Sequence, residues 1–333
     1  MELVNRTPFA AARIVVSDRE GRDVLLTVVK CTYALGASGQ LQPAEKQHPM
    51  QPADDFYGEP GESSVRWESD LAVYKPATDV VVLGHAYPPR RPEPQVQVAL
   101  RVGPLFRVLT VFGDRRWRKG LGMSSPEPFA KMPLTYERAF GGTDRSAADP
   151  RHHEMEPRNP VGRGFRAQRS ELGSGEAFLP NIEDPEHLIR SPKDRPPPAG
   201  FGFIARSWQP RAALAGTYDE AWKKNRAPLP PADFDDRHHN AASRLLTASP
   251  HFVGNELVEL AHLNPRGTLR LRLPGTRPRV FTSIGRARQE IPLLFDTLVL
   301  LPDEEQAVML WRGHRRLTPQ DLLHLEYIEV RSQ

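Results

Sequence analysis

Two pairs of adjacent histidines are the residues of this 333-residue sequence whose types and spacing most readily invite metal chemistry. His152-His153 runs into Glu154, and His238-His239 follows Asp233, Asp235 and Asp236. Imidazole and carboxylate together suit zinc or iron, and a metal-bound water in such a set would make a hydrolase. In an extended segment, however, neighbouring side chains point to opposite sides, so each pair offers one convenient ligand. Surface histidine is the simpler reading, and no metal or cofactor is expected. Cys31 is the one cysteine, which excludes an intrachain disulfide and a cysteine zinc site. In the apolar run 24–34 it reads as a buried strand thiol, not a nucleophile. There is no G-x-x-x-x-G-K loop and no G-x-S-x-G elbow. Gly173-Ser174-Gly175 reads as a flexible turn, and Gly162-Arg163-Gly164 as loop glycine. No catalytic residue is assigned.

The densest cluster of unusual residues is 133–144, with Tyr136, Glu137, Arg138 and Phe140 ahead of Gly141-Gly142. The double glycine predicts a tight turn at positive φ with close backbone approach. Glu137 and Arg138 read as an ion pair that fixes the chain, or as a contact to a ligand. Trp208, Tyr218 and Trp222 complete the candidate partner-binding residues, because large aromatics dominate interface energetics. The plainer role for each is to staple the chain to its own core.

These residues must be positioned by a body that proline restricts. There are 34 prolines in 333 residues, about twice the usual ~5%. An interior proline costs a helix roughly 3 kcal/mol, so a helical bundle, long coiled coil or helical solenoid is excluded. Residues 1–149 read as strands. Arg13–Ser17 and Val24–Tyr33 flank a hairpin turn; Asp79–Leu83 is a short strand; Val96–Val102 and Leu105–Phe112 flank Gly103-Pro104. Residues 150–250 hold 14 prolines yet carry Phe165, Phe178, Phe201, Phe203, Trp208, Trp222 and Phe234. That combination predicts an irregular wrap laid over a β core, with one helix capped by Thr217 and Glu220. Residues 251–333 return to strands at 269–273, Thr297–Leu301, Ala307–Trp311 and Tyr327–Val330. Thr318 caps a short helix with Pro319 at its first position. The expectation is one mainly-β domain over residues 1–333. Its core is β-sandwich-like, N- and C-terminal strands pack together, and helices are few and short.

The net charge of +4 is too weak over this length to indicate a nucleic-acid partner. The pairs Arg90-Arg91, Arg115-Arg116 and Arg315-Arg316 read as solvated strand ends and turns. No stretch approaches the ~20 apolar residues of a membrane span, and the N-terminus lacks a signal-peptide pattern. A cytoplasmic location is expected.

Several ordered blocks carry a family resemblance over nearly the whole chain. They are residues 5–9, 28–33, 69–79, 111–117, 133–142, 159–164, 179–183, 198–202 and 215–222. Here the sequence resembles the bacterial family called domain of unknown function 2169. The resemblance implies an accessory component of type VI secretion, encoded beside toxic effectors and PAAR-like tip proteins. The implied role is an adaptor or chaperone that loads an effector onto the valine–glycine-repeat spike, with no catalytic residues to carry over. Two other readings stand beside it: a metal-dependent hydrolase built on the histidine pairs, and a carbohydrate-binding β-sandwich module with aromatics on a flat face.

Overall fold

The apolar run around Cys31 forms the longest strand of the protein, buried along almost all its length. It is seen in a computed structural model that describes residues 2–36, 39–118, 122–167 and 177–332. Gly173-Ser174-Gly175 lies outside the described residues. In chain order the principal strands are β1 (Glu2–Asn5), β2 (Ala10–Ser17), β3 (Asp23–Leu35), β4 (Thr78–Val82), β5 (Gln95–Val102) and β6 (Leu105–Phe112). They continue as β7 (Leu257–Asn264), β8 (Gly267–Arg272), β9 (Arg279–Ile284), β10 (Ala287–Ile291), β11 (Leu294–Leu301), β12 (Gln306–Arg316) and β13 (Leu325–Arg331). Two short α-helices, α1 (Glu220–Asn225) and α2 (Pro319–His324), accompany them. The protein is mainly β, as expected.

The central sheet runs β2-β3-β12-β11-β4 and ends on the short strand Thr247–Ala248. The expected hairpins β2–β3 and β11–β12 are both present, and β12 pairs with β3 along its whole length. The β11–β4 pairing is parallel, Thr297 opposite Asp79 through Leu300 opposite Val82. A second sheet contains β6-β5-β7-β8, in which Val96, Val98, Leu100 and Val102 are buried and the alternate residues are more exposed. That one-sided pattern is what an outer sheet with one solvated face requires. Val98, Leu100, Leu109 and Val258 of this sheet join Val29, Met309, Leu298 and Val80 of the central sheet in one apolar cluster. Near the ends of the chain, β1 pairs in parallel with β13 in a third sheet, β1-β13-β9-β10.

The proline-rich middle wraps this body and also contributes to its interior. Phe201, Phe203 and Trp208 are buried in the main core, and the Phe201 carbonyl accepts from Val82 N at the end of β4. The stretch between β3 and β4 is less strand-like than the sequence predicts. Residues 44–77 are irregular apart from the small hairpin of Asp55–Phe56 with Val65–Trp67.

Helix α2 starts as predicted, with Thr318 and Asp321 bonding reciprocally. Helix α1 does not. Its cap is Asp219, whose carboxylate accepts from Trp222 N, while Thr217 spends its hydroxyl and its N–H on Asp233. An ionised carboxylate one residue from the helix displaces the more distant threonine.

A walled cleft over a buried ionic network

Every second residue of a strand shares a face, so strand register decides which charges meet. Lys30 lies opposite Leu310, Val28 opposite Arg312, and Thr297 opposite both Leu310 and Asp79. Lys30, Arg312, Thr297 and Asp79 therefore share one face of the central sheet. A register shift between Phe295 and Thr297 adds Asp296 to them. Trp311 and Phe295 stack on the other face with ring centres 5.1 Å apart.

The charged face is covered by residues 68–77 and the wrap, and the groups form a continuous chain. Lys30 Nζ donates to Asp70 Oδ2 at 2.9 Å. Arg312 donates to the Asp70 and Ala72 carbonyls and pairs with Asp296. Thr297 Oγ1 donates to Asp296 and accepts from Lys75 Nζ, at 2.9 and 3.1 Å. Lys75 also reaches Asp79 at 2.9 Å and Glu68 at 3.2 Å, and Glu68 pairs with Arg211 of the wrap. Asp79 takes two further bonds, from Asn240 Nδ2 and Ala241 N. Four cations (Lys30, Lys75, Arg211, Arg312) face four carboxylates (Glu68, Asp70, Asp79, Asp296), and none is more than 4% exposed. Matched charge is what allows so many ionised groups in an interior. The sequence reasoning missed this network, although its signal is visible: single charges interrupt apolar strand runs at Lys30, Asp296 and Arg312.

Acid should weaken the network and its surroundings. Burial would raise the Glu68 carboxyl, but Lys75 and Arg211 outweigh it and bring it down to about 2 from an ordinary 4.5. Burial, reinforced by His238, lowers the half-buried His239 to about 3 from 6.5. Each folded-state value lies below the unfolded one, so each contribution to stability is present at high pH and lost as pH falls. The His239 loss begins near pH 6.5 and the Glu68 loss near pH 4.5. Urea midpoints are expected to fall from pH 7 to pH 4, and His239→Gln to flatten the first part of that fall. An equal fall in the variant would remove His239 as its cause.

Above the network lies an open cleft of about 430 Å³. Segments from distant parts of the chain wall it: the 48–51 stretch, the 55–67 hairpin, residues 83–85, residues 133–135 and the β11–β12 turn at 301–304. Lys30 is among its lining groups and lies 4.3 Å from the Trp67 ring centre. His48 stacks on Trp67 at 5.4 Å and 14°. Asp303 accepts from Tyr87 Oη at 2.7 Å and lies 2.5 Å from His85 Nδ1. The hydroxyls of Tyr57 and Thr135 and the Trp67 indole N–H have no hydrogen bond to any described residue.

The 133–144 cluster sits beside this cleft and is largely internal. Tyr136 and Phe140 are 4% and 1% exposed, and Trp208, set edge-on to Tyr136 at 5.6 Å, is 4% exposed. These three are stapling residues, because the aromatic area proposed for a partner is already spent on the core. Glu137 and Arg138 do not pair with each other as expected. Glu137 accepts from Ser64 N and Oγ, whereas Arg138 donates to Asn181 Oδ1 at 3.1 Å. Consecutive residues of a 3-10 turn diverge, which separates their partners. Gly141 and Gly142 have φ of 151° and 97°, as the tight turn requires. Gly141 pairs with Gly164, so Gly162-Arg163-Gly164 is not simply loop. Asn159 is fully buried and donates to the carbonyls of Tyr136 and Phe140.

The remaining sequence candidates separate. Tyr218 is 57% exposed and meets Trp222 edge-on at 4.6 Å. Trp222 is half-buried, its indole N–H donating to Leu229 O at 2.8 Å. His238 and His239 lie in a 3-10 turn, not an extended segment, and His238 Nδ1 is 2.9 Å from Arg211 O. His153 Nε2 is 3.1 Å from Ala147 O. The histidine pairs do not come together as a ligand set among the described residues; the one grouping with metal-compatible atoms is Asp184, Glu186 and His187. There Arg107 already occupies Asp184 at 2.7 Å. Arg115 departs from the expected solvated arginines. It is 4% exposed, paired with Glu183 and stacked on Phe112 at 3.7 Å. Cys31 is buried, as expected, and burial pushes its thiol up. Among the described residues no helix is long and apolar enough to cross a membrane.

Fold and site define a mainly-β protein with several sheets, a buried ionic network and an open cleft. The chain belongs to the family described as "Uncharacterized protein conserved in bacteria (DUF2169)", whose model matches residues 20–312. No curated protein and no solved structure matches it.

Proposed function

We propose that this protein is a non-catalytic, cytoplasmic adaptor or chaperone. It binds a type VI secretion effector, or a PAAR-like tip protein, and helps load it onto the valine–glycine-repeat spike. The secretion context comes from the family resemblance. The structural observation that carries the binding role is the Tyr218–Trp222 pair on the outside of the wrap. Trp222 is held by its bond to Leu229 O, and α1 is anchored where Arg226 donates to the Arg19 carbonyl. A braced aromatic pair loses little rotamer freedom on binding, which is what makes such residues effective anchors. Of the four histidines that a hydrolase would use, His153 and His238 each place one ring nitrogen against a carbonyl of their own fold.

The test is co-expression with products of neighbouring genes, followed by purification and titration. Binding should saturate near equivalence, whereas an enzyme would act at far lower ratios through turnover. Tyr218→Ala with Trp222→Ala is expected to weaken the complex about tenfold or more, as interface hot spots do. His152→Ala with His153→Ala should leave it intact. Copurification with no toxin-like neighbour and no spike component would overturn the adaptor role.

A further inference from the structure

The charges lining the cleft do not cancel. Lys30 is matched by Asp70 at 2.9 Å, and Arg66 by Asp55 at 2.5 Å. Asp303 and Glu304 remain on the β11–β12 turn. Asp303 has His85 Nδ1 at 2.5 Å and Lys131 Nζ at 4.0 Å, the outer limit of an ion pair. Glu304 has only His48, at 3.9 Å, and its side chain is 58% exposed. Tyr57, 44% exposed, supplies an open aromatic ring, and Leu83, Leu301, Pro49 and Pro133 supply apolar wall.

This arrangement selects among ligand chemistries. An anion would meet Asp303 and Glu304. A sugar would have the Tyr57 ring to stack on, since His48 and Lys30 cover the Trp67 ring, but it would bring no positive charge to Asp303 and Glu304. A cation with an apolar stem is favoured by the two carboxylates, by the Tyr57 ring and by the apolar wall. The Trp67 indole N–H, which can only donate, calls for an acceptor as well, whereas the Tyr57 and Thr135 hydroxyls can donate or accept. A free polyamine carries no acceptor, whereas a peptide main chain offers its carbonyls. The volume of about 430 Å³ falls within the ~300–1,000 Å³ of ordinary ligand sites.

We propose that the cleft receives an extended peptide segment of a protein partner, and that a lysine or arginine side chain of that segment enters it towards Asp303 and Glu304. The proposal rests on the adaptor reading for its biological partner but not for its chemistry.

The experiment titrates the full chain with acetyl-Ala-Arg-Ala-amide and follows the Trp67 indole N–H resonance, assigned with Trp67→Phe. A saturable shift is expected. Binding should weaken about tenfold or more with the neutral citrulline analogue, and likewise with Asp303→Asn plus Glu304→Gln, since a charge-assisted bond is roughly twice as strong as a neutral one. Asp303 also holds Tyr87, so Glu304→Gln alone provides the reading if the double variant fails to melt cooperatively. Equal binding of the citrulline peptide, equal binding by a folded carboxylate variant, or no shift would overturn the proposal. Spermidine binding as tightly as the peptide would overturn the peptide part of it. Copurification of the neighbouring effector, run on the same variants, separates the two claims. A partner retained by wild type and variants alike removes the cleft proposal and leaves the adaptor. No partner at all removes the adaptor, while the peptide titration still judges the cleft.

Discussion

Asp79→Asn is expected to lower folding stability by about 3–5 kcal/mol, the range for breaking one side of a buried ion pair. The substitution keeps the shape and removes the charge, so packing changes little and electrostatics a great deal. Asp79 is fully buried and accepts from Lys75 Nζ, Asn240 Nδ2 and Ala241 N, all at 2.8–2.9 Å. An asparagine amide would turn an N–H₂ toward one of those donors and leave Lys75 with Glu68 as its one remaining carboxylate contact. That is a large share of the ~5–15 kcal/mol by which a folded protein is stable. Denaturant unfolding measures it. Asp55→Asn, which breaks the exposed pair with Arg66, is the control and should cost under about 1 kcal/mol. Lys75→Met combined with Asp79→Asn should lose less than the sum of the single losses, because the stranded ammonium is gone. Strict additivity would show that the two residues do not act as a pair.

The second large effect is expected at Gly141. A Cβ there would lie 2.1 Å from the Asn159 carbonyl oxygen and 2.8 Å from Asn159 Cβ, with the backbone already at φ 151°. Asn159 cannot retreat freely, because its amide holds Tyr136 O and Phe140 O and its own carbonyl accepts from Gly142 N. Gly141→Ala is therefore expected to cost roughly 2–5 kcal/mol, adding backbone strain to overpacking. Gly61→Ala separates the two terms. Gly61 has φ of 85° but nothing within 4 Å of the added carbon, so it carries only the conformational cost of about 1–2 kcal/mol. If both substitutions cost the same, crowding against Asn159 is not the reason for the glycine.

How much of this was legible beforehand depends on the range of the interaction involved. Period-two alternation placed β5 and β8, and adjacent turns placed β6 and the β2–β3 and β11–β12 hairpins, because each depends on neighbours in sequence. The double glycine announced its positive φ, and Thr318 with Pro319 announced α2, for the same local reason. Proline content alone dictated an irregular middle. The sequence also determined family membership, since that rests on the order of residues.

Tertiary structure decided the rest. Which aromatics of the wrap are spent on the core could not be read locally: Trp208 is 4% exposed and Tyr218 57%, although both lie in the same irregular segment. The parallel seating of β11 against β4 joins residues more than two hundred positions apart, and it brings Thr297 opposite Asp79. That register puts the isolated charges of several strands on one face, where each is tolerable only because the others are present. The cleft arises the same way, from five segments of which each alone is an ordinary turn, hairpin or strand end. A sequence displays a residue's type and its neighbours along the chain. The free energy of a buried charge or a cavity wall belongs to its neighbours in space, and those exist only once the sheets have packed.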